Sequence, residues 1–434
     1  MFAKKLSVVL AMIPAANAFA APAPNDLNFD VSAKTRWSDN ARKENKKENI
    51  FTERQDQYSF QVDGIYNNEW VSAKSQYDIS QLKFSENSQP NDNVLTGNSS
   101  LVLGAANQPL SLSLTHASDQ LINSPDAVDL TTNRDERSTF VVQPSLRIGA
   151  NEARQFVASV SRTNIDYKRQ KERSLNTDAI EAAYVQKLSA IDQVQLIATS
   201  SKTNFDLYPL ADYKLQSALL EYSAVLRKLK YSVSVGGNKI TQNEQDNEFS
   251  SPQYHLNLSY AGAFNVLNVD FDQRLSDSSS SGVTRQRNNI EESGSVVDRL
   301  GYDIGVVKNI STTFSWQSTY LCERCSTGLT VSDSKEDMLS LNNDFSMRRA
   351  SASFSYKLTR FSSLDISGIW SERKYDQSFK FGRSREMDSR VSYRVMLMNH
   401  LWLESFFSRI DAETDKAGSE YVENVMGVRF NAEF

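Results

Sequence analysis

Two cysteines, 3 histidines, 9 prolines and 16 glycines are all that 434 residues contain of those types. Each scarcity excludes something. Two cysteines cannot supply a four-cysteine zinc site or a disulfide-dense scaffold. The histidines, His116, His255 and His400, stand far apart with no acidic partner at ligand spacing, so no metal centre is expected. A string of β-sandwiches would consume glycine and proline in its turns, and a solenoid would repeat more strictly. No P-loop, dinucleotide fingerprint or G-x-S-x-G elbow occurs, so neither a cofactor nor a catalytic constellation is expected. Basic residues number 48 against 53 acidic ones, without the basic stripe of a nucleic-acid partner. No segment approaches the roughly 18 consecutive apolar residues of a membrane-spanning helix.

The first 20 residues read as an export signal. Met1 to Lys5 is a short basic start, Leu6 to Ala16 an apolar stretch of h-region length, and Ala16-Asn17-Ala18 or Ala18-Phe19-Ala20 a small-residue cleavage site. Residues 21–434 then form one unit, since no composition break or linker divides them. Mean hydropathy is -0.49. That value suits a soluble protein, and equally a transmembrane barrel whose strands alternate between lipid and water.

Alternation is what the chain has in abundance. Counting back by twos from the C-terminus gives Phe434, Ala432, Phe430, Val428, Met426, Asn424 and Val422, with Glu433, Asn431, Arg429 and Glu423 on the other face. The same period-two pattern recurs at Leu27–Ala33, Leu110–Thr115, Leu229–Gly236, Tyr254–Tyr260, Leu300–Val306 and Ser353–Leu358. The polar positions are Ser, Asn, Asp, Lys and Gly, poor core residues that suit a wet lumen. His255, Asn257, Ser259 and Asp303 are therefore candidate lumen residues.

Two kinds of connection separate the alternating runs. Short ones are expected near Asn67, Asn107, Asn151, Ala190, Lys228, Ala263, Asn309, Arg360 and Asn399. Long polar ones are expected at Asn40–Gln55, Lys168–Asn176, Gln273–Gly294, Cys322–Glu336 and Arg373–Met387. Short turns at one end and long loops at the other predict an all-β fold, a single transmembrane antiparallel β-barrel of about 16–20 strands with periplasmic turns and extracellular loops. The stretch Glu336–Thr359 is too long for one strand, and Leu27–Trp37 is either the first strand or a periplasmic segment.

Cys322-Glu323-Arg324-Cys325 is open to reading as a redox pair, half a metal site or a local disulfide. In an oxidising envelope, at the base of an expected extracellular loop, it is expected to close a small disulfide. Trp37, Trp316 and Trp370 run in phase with apolar neighbours and are assigned to the lipid face. Trp70 and Trp402 fall in the polar phase or beside a turn, as stacking surfaces for sugar or as interface anchors.

The segments Asn309–Trp316 and Phe354–Gly368 and the closing Val425–Phe430 make Ser-rich alternating hairpins with a short L-T/S-x-x-S-S-L turn. They resemble the outer-membrane β-barrels of Gram-negative exopolysaccharide biosynthesis clusters. The resemblance implies a passive exit for a polysaccharide, working with periplasmic export proteins and important for biofilm matrix. It brings no catalytic residues. A general or substrate-selective diffusion porin is the alternative, and an adhesive surface barrel a third. In any of these, Phe434 and Phe430 are expected to act as the C-terminal signal that the barrel assembly machinery reads, with outer-membrane lipid as the surrounding partner.

Overall fold

A computed structural model describes residues 25–434 except 46–48, 105–107, 124–127, 152, 243–246, 280–297, 300–303, 340–343, 376–381 and 416–419. The expected signal at residues 1–20 lies outside the described residues, as do Asp303 and most of the alternating run Leu300–Val306.

The strands are β1 (Asp26–Ser38), β2 (Glu53–Asn67), β3 (Val71–Phe84), β4 (Asp92–Leu103), β5 (Leu110–Ile122), β6 (Arg134–Asn151) and β7 (Arg154–Tyr167). There follow β8 (Leu175–Lys187), β9 (Asp192–Phe205), β10 (Tyr213–Val225), β11 (Leu229–Gln242), β12 (Glu248–Ala261), β13 (Asn265–Asp277) and the two-residue β14 (Asp298–Arg299). The chain ends with β15 (Val306–Ser318), β16 (Cys325–Met338), β17 (Phe345–Thr359), β18 (Ser362–Tyr375), β19 (Arg383–Met398), β20 (Leu401–Thr414) and β21 (Tyr421–Glu433).

Each long strand pairs antiparallel with the next, β13 passing directly to β15. Between β1 and β21 the register Asp30↔Glu433 to Ser38↔Val425 closes the ring. Phe29 and Phe434 exchange both main-chain hydrogen bonds at the seam, at 3.0 and 2.8 Å. The result is a closed antiparallel barrel of 20 strands. Closure matters because lipid offers no partner to an unpaired strand edge. Leu27–Trp37 is thus a barrel strand rather than a periplasmic segment.

Register assigns every side chain to a face. On β21, Phe434 (73% exposed), Phe430 (49%) and Met426 (59%) point outward, whereas Val425 (4%) and Glu423 (5%) point in. The outward phase is apolar around the ring: Leu110, Leu112 and Leu114 on β5, Val233 and Val235 on β11, Leu256 and Leu258 on β12, Phe354 and Tyr356 on β17. Trp37, Trp316 and Trp370 share that phase; Trp402 is inward and Trp70 lies in a turn. An apolar exterior round a polar interior makes this a transmembrane β-barrel of the outer-membrane type. Both described ends lie at the short-turn rim, the periplasmic one in this architecture.

Seven of the nine expected short turns fall between strands at that rim, and Asn107 lies outside the described residues. Asn309 does not; it lies inside β15, and the turn is 319–324. That shift carries the cysteines with it. Cys322–Glu336 is not an extracellular loop: Cys325 begins β16, and the cysteines sit on the periplasmic side. The reason is chemical. Beyond Leu329 and Val331 the outward positions of β16 are Asp333, Lys335 and Asp337, against Ser332, Ser334 and Glu336 inward, so its upper half lacks a greasy outer face. Glu336–Thr359 resolves into the end of β16, a connection at 339–344 and β17.

Candidate functional site

The lumen is the candidate site, and hydroxyl side chains recur round its lining among charged and amide groups. Pairing across strands aligns Thr163 with Thr177, and Thr177 with Thr203. Ser223 faces Ser232, and Asn268 faces Ser315. Further round, Thr313 meets Ser332, Ser315 meets Thr330, and Ser353 meets Ser367. Some hydroxyls bond one another, as in Thr177 and Thr203 at 2.9 Å and Ser59 and Ser80 at 2.8 Å. Each is a weak, exchangeable donor and acceptor.

Charged groups of the lumen gather on two arcs of the ring, each mixed in sign. On one arc Gln195 Nε2 donates to Glu221 Oε1 (2.5 Å) and Ser234 Oγ to Glu221 Oε2 (2.9 Å). Asn257 Nδ2 donates to Asp270 Oδ2 at 3.4 Å, and His255 Nδ1 stands 3.7 Å from Asp272 Oδ1. Asp272 also pairs with Arg274 at 3.3 Å. On the far arc, Lys34 of β1 and Arg390 of β19 both lie against the Phe406 ring, at 5.1 and 4.3 Å from its centre. Arg390 pairs with Glu404 at 2.7 Å, and Arg429 faces Glu404 across β20 and β21. β1 and β11 are ten strands apart in a ring of 20, so the two arcs lie on opposite walls of the barrel.

His255, Asn257 and Ser259 thus occupy the lumen phase. His255 is not solitary, since antiparallel pairing brings Asp272 to it. Nor is His116. It lies in the outward phase of β5, where its Nδ1 meets the Tyr77 hydroxyl and its Nε2 meets Ser138 Oγ at 3.0 Å. Tyr77 also reaches Ser99 Oγ at 3.0 Å. Tyr77 stays buried by lying against Gly97, whose φ is +144° and whose Cβ would stand 2.7 Å from Tyr77 Cα. A Ser–His contact is the start of a nucleophilic pair, but both flanking strands engage the main chain around Ser138. That leaves no pair of amides to hold an oxyanion. No spacing rule could have found this relay, which is built from four strands.

The extracellular half of the lumen is packed. Leu121, Ile165, Tyr167, Leu175, Phe205, Tyr213, Ile240, Leu275 and Val306 form one buried apolar cluster. Pairing of β4 with β5 stops at Gly97↔Ser118, while β5 and β6 continue to Ile122↔Arg134. Asp298–Arg299 pairs in parallel with Leu121–Ile122, bringing the β13–β15 connection to β5. Tyr213 donates to Asp277 Oδ2 (2.7 Å) and Tyr167 to Ser279 O (2.6 Å). Gln89 bridges two other connections, donating to Ala41 O and accepting from Thr131 N. Toward the periplasm the inward residues Lys74, Gln76, Asn257 and Ser353 are exposed, so the lumen opens there.

Cys322 and Cys325 are joined as a disulfide, with Cα atoms 5.1 Å apart, inside the 319–324 turn and the first residue of β16. Among the described residues, no group of three His, Cys, Asp or Glu could hold a metal ion.

No family model and no curated protein sequence matches the chain. Among solved structures it is similar to OccK2 of Pseudomonas aeruginosa in complex with glucuronate (TM-score 0.40, 9% identity, 94% of this chain and 98% of that one). It is also similar to OccAB4 of Acinetobacter baumannii (TM-score 0.38, 8% identity, 94% and 98%). A third is the FrpB iron transporter of Neisseria meningitidis (TM-score 0.45, 8% identity, 94% and 83%). All are barrels that cover nearly the whole of this chain.

Proposed function

We propose that the barrel is an outer-membrane channel whose cargo is a long hydroxyl-rich polymer, a secreted exopolysaccharide leaving the cell. The observation that carries this reading is the hydroxyl lining. Ser and Thr side chains around the ring offer sugar hydroxyls many hydrogen bonds, each weak enough to release, which is what passage of a repeating polymer requires. The wide periplasmic half gives entry to a chain delivered by periplasmic export partners. Energy comes from synthesis or from those partners. A deletion strain should lose surface polysaccharide and accumulate it within the envelope, while growing normally on single sugars and amino acids.

The mixed charge of the lumen favours a second reading, a diffusion porin for small polar solutes. Charged groups of both signs along a pore wall orient dipolar molecules and suit small zwitterions better than a neutral polymer. Normal matrix with slowed growth on one nutrient would establish the porin and remove the export role.

A further inference from the structure

Two aromatic rings face the lumen from β20, and one of them is free to meet a solute. Phe406 is 7% exposed and lies under Lys34 and Arg390. Trp402, nearer the periplasm on the same face, is half-buried and has no ring or cation partner among the described residues. Its indole N–H also has no hydrogen-bond partner among them. Trp37, Trp316 and Trp370 point to lipid. Trp402 is the second residue of β20, directly beyond the turn at 399–400. Its ring therefore stands at the mouth of the open half of the lumen.

Register surrounds this ring with planar polar groups. Asn431 is directly opposite Trp402 on β21, and Ser32 is opposite Asn431 on β1. On the other flank Arg394 of β19 is opposite Glu404, hence diagonal to Trp402. Diagonal neighbours in a sheet stand about 7–8 Å apart, within reach of aromatic and long side chains. Glu404 is held by Arg390 at 2.7 Å, and Arg394 forms no ion pair or side-chain hydrogen bond among the described residues. Asp30, diagonal to Asn431, has a buried carboxylate oxygen, Oδ1, without a partner. Glu404, Asp365 and Glu433 stand on neighbouring rows, so the field of the mouth does not select an anion. What the mouth offers is a flat apolar face ringed by groups that can each hold two neighbouring hydroxyls.

We propose that Trp402 is a stacking platform for a neutral pyranose ring, with Arg394 and Asn431 holding the ring's hydroxyls. A pyranose has C–H groups on its faces and hydroxyls round its edge. The C–H face lies on the electron-rich indole, and the hydroxyls reach the planar side chains beside it. One such contact is weak enough to release a ring while the next ring of a polymer takes its place. That the ring belongs to a polymer being exported rests on the reading above, in which this mouth is the point of entry.

The test uses the full-length barrel in a detergent without a sugar headgroup. The probes are maltohexaose, cellohexaose and an oligouronate of the same length. At least one neutral hexaose should bind wild type by calorimetry and shift its tryptophan fluorescence with the same midpoint. Trp402→Ala should weaken that binding about tenfold. Trp402→Phe keeps a ring, so it should lose the fluorescence response while retaining part of the affinity. It also serves if Trp402→Ala fails to fold by heat-modifiability. Arg394→Gln should weaken binding and keep the fluorescence response. Binding of neither neutral probe, or equal binding by wild type and Trp402→Ala, would overturn the proposal. Tighter binding of the oligouronate than of both neutral probes would move the site to Arg394 and overturn it as well. Trp402-dependent affinity together with a matrix that survives deletion would keep the platform and remove export. Matrix lost on deletion, with no Trp402-dependent affinity, would remove the platform and keep export.

Discussion

Phe406 and Gly427 face each other across β20 and β21, and the glycine makes room for the ring: a Cβ on Gly427 would stand 2.5 Å from Phe406 Cζ. The same Cβ would meet Thr35 O of β1 at 2.7 Å. Since Lys34 and Arg390 both lie against this ring, the absence of one methyl group helps to place these two cations. Gly427→Ala should therefore destabilise the barrel by about 1–3 kcal/mol through overpacking. The double variant with Phe406→Ala should lose less than the sum of the single ones, because the ring half of the clash is gone. Urea-unfolding midpoints of folded barrel in detergent check both statements; strict additivity would mean that the ring is not displaced.

A charge should be tolerated by face. Leu258 points to lipid and its neighbour Ser259 to the lumen. Leu258→Arg near the midplane should cost about 2–4 kcal/mol, and Ser259→Arg far less while changing single-channel conductance. Heat-modifiability and planar-bilayer recordings read the two effects. The opposite assignment of the two effects would invert the phase of the whole barrel.

The cysteine turn should be inaccessible from outside the cell. An epitope placed in 319–324 should stay dark to antibody on intact cells, and one placed in 206–212, between β9 and β10, should be labelled. Replacing Cys322 and Cys325 by Ser should leave the barrel's outer-membrane level near wild type, since short turns on every side already fix this hairpin. Surface labelling at 319–324 would return the turn to the extracellular end.

Tyr213 should act as a latch on the packed half of the lumen. Its hydroxyl donates to Asp277 beside the β13–β15 connection. Tyr213→Phe removes that bond and should cost about 1 kcal/mol. Conductance in planar bilayers should rise or flicker more often, with the level of folded protein unchanged. An unaltered trace would assign the bond to stability alone.

The faces of the strands were legible because a membrane strand has period two and one face must be oily. That requirement ends where the lipid ends, which is why the extracellular half of β16 read as a loop: Asp333 and Lys335 point outward into water and carry no apolar signature. Asn309 read as a turn for a related reason, since polar residues are as welcome in a lumen as in a loop. The pairing of lumen charge could not be read at all. Glu221, Asp272, Lys34 and Arg390 are spread along the chain, and which of them face each other is decided by strand number and ring closure. The partners of His255 and His116 likewise come from register between strands.

The seam between β1 and β21 also orders events in time. Ser38 donates to Glu423 across 385 residues of sequence. Every other strand of the ring can dock onto its predecessor as the chain arrives, but this pair cannot form until the last residues are present. Until then the growing sheet has two open edges in an envelope full of other unfolded strands. The most hazardous intermediate is a nearly finished barrel, and a factor that occupies the β1 edge until β21 displaces it would protect the chain at that stage.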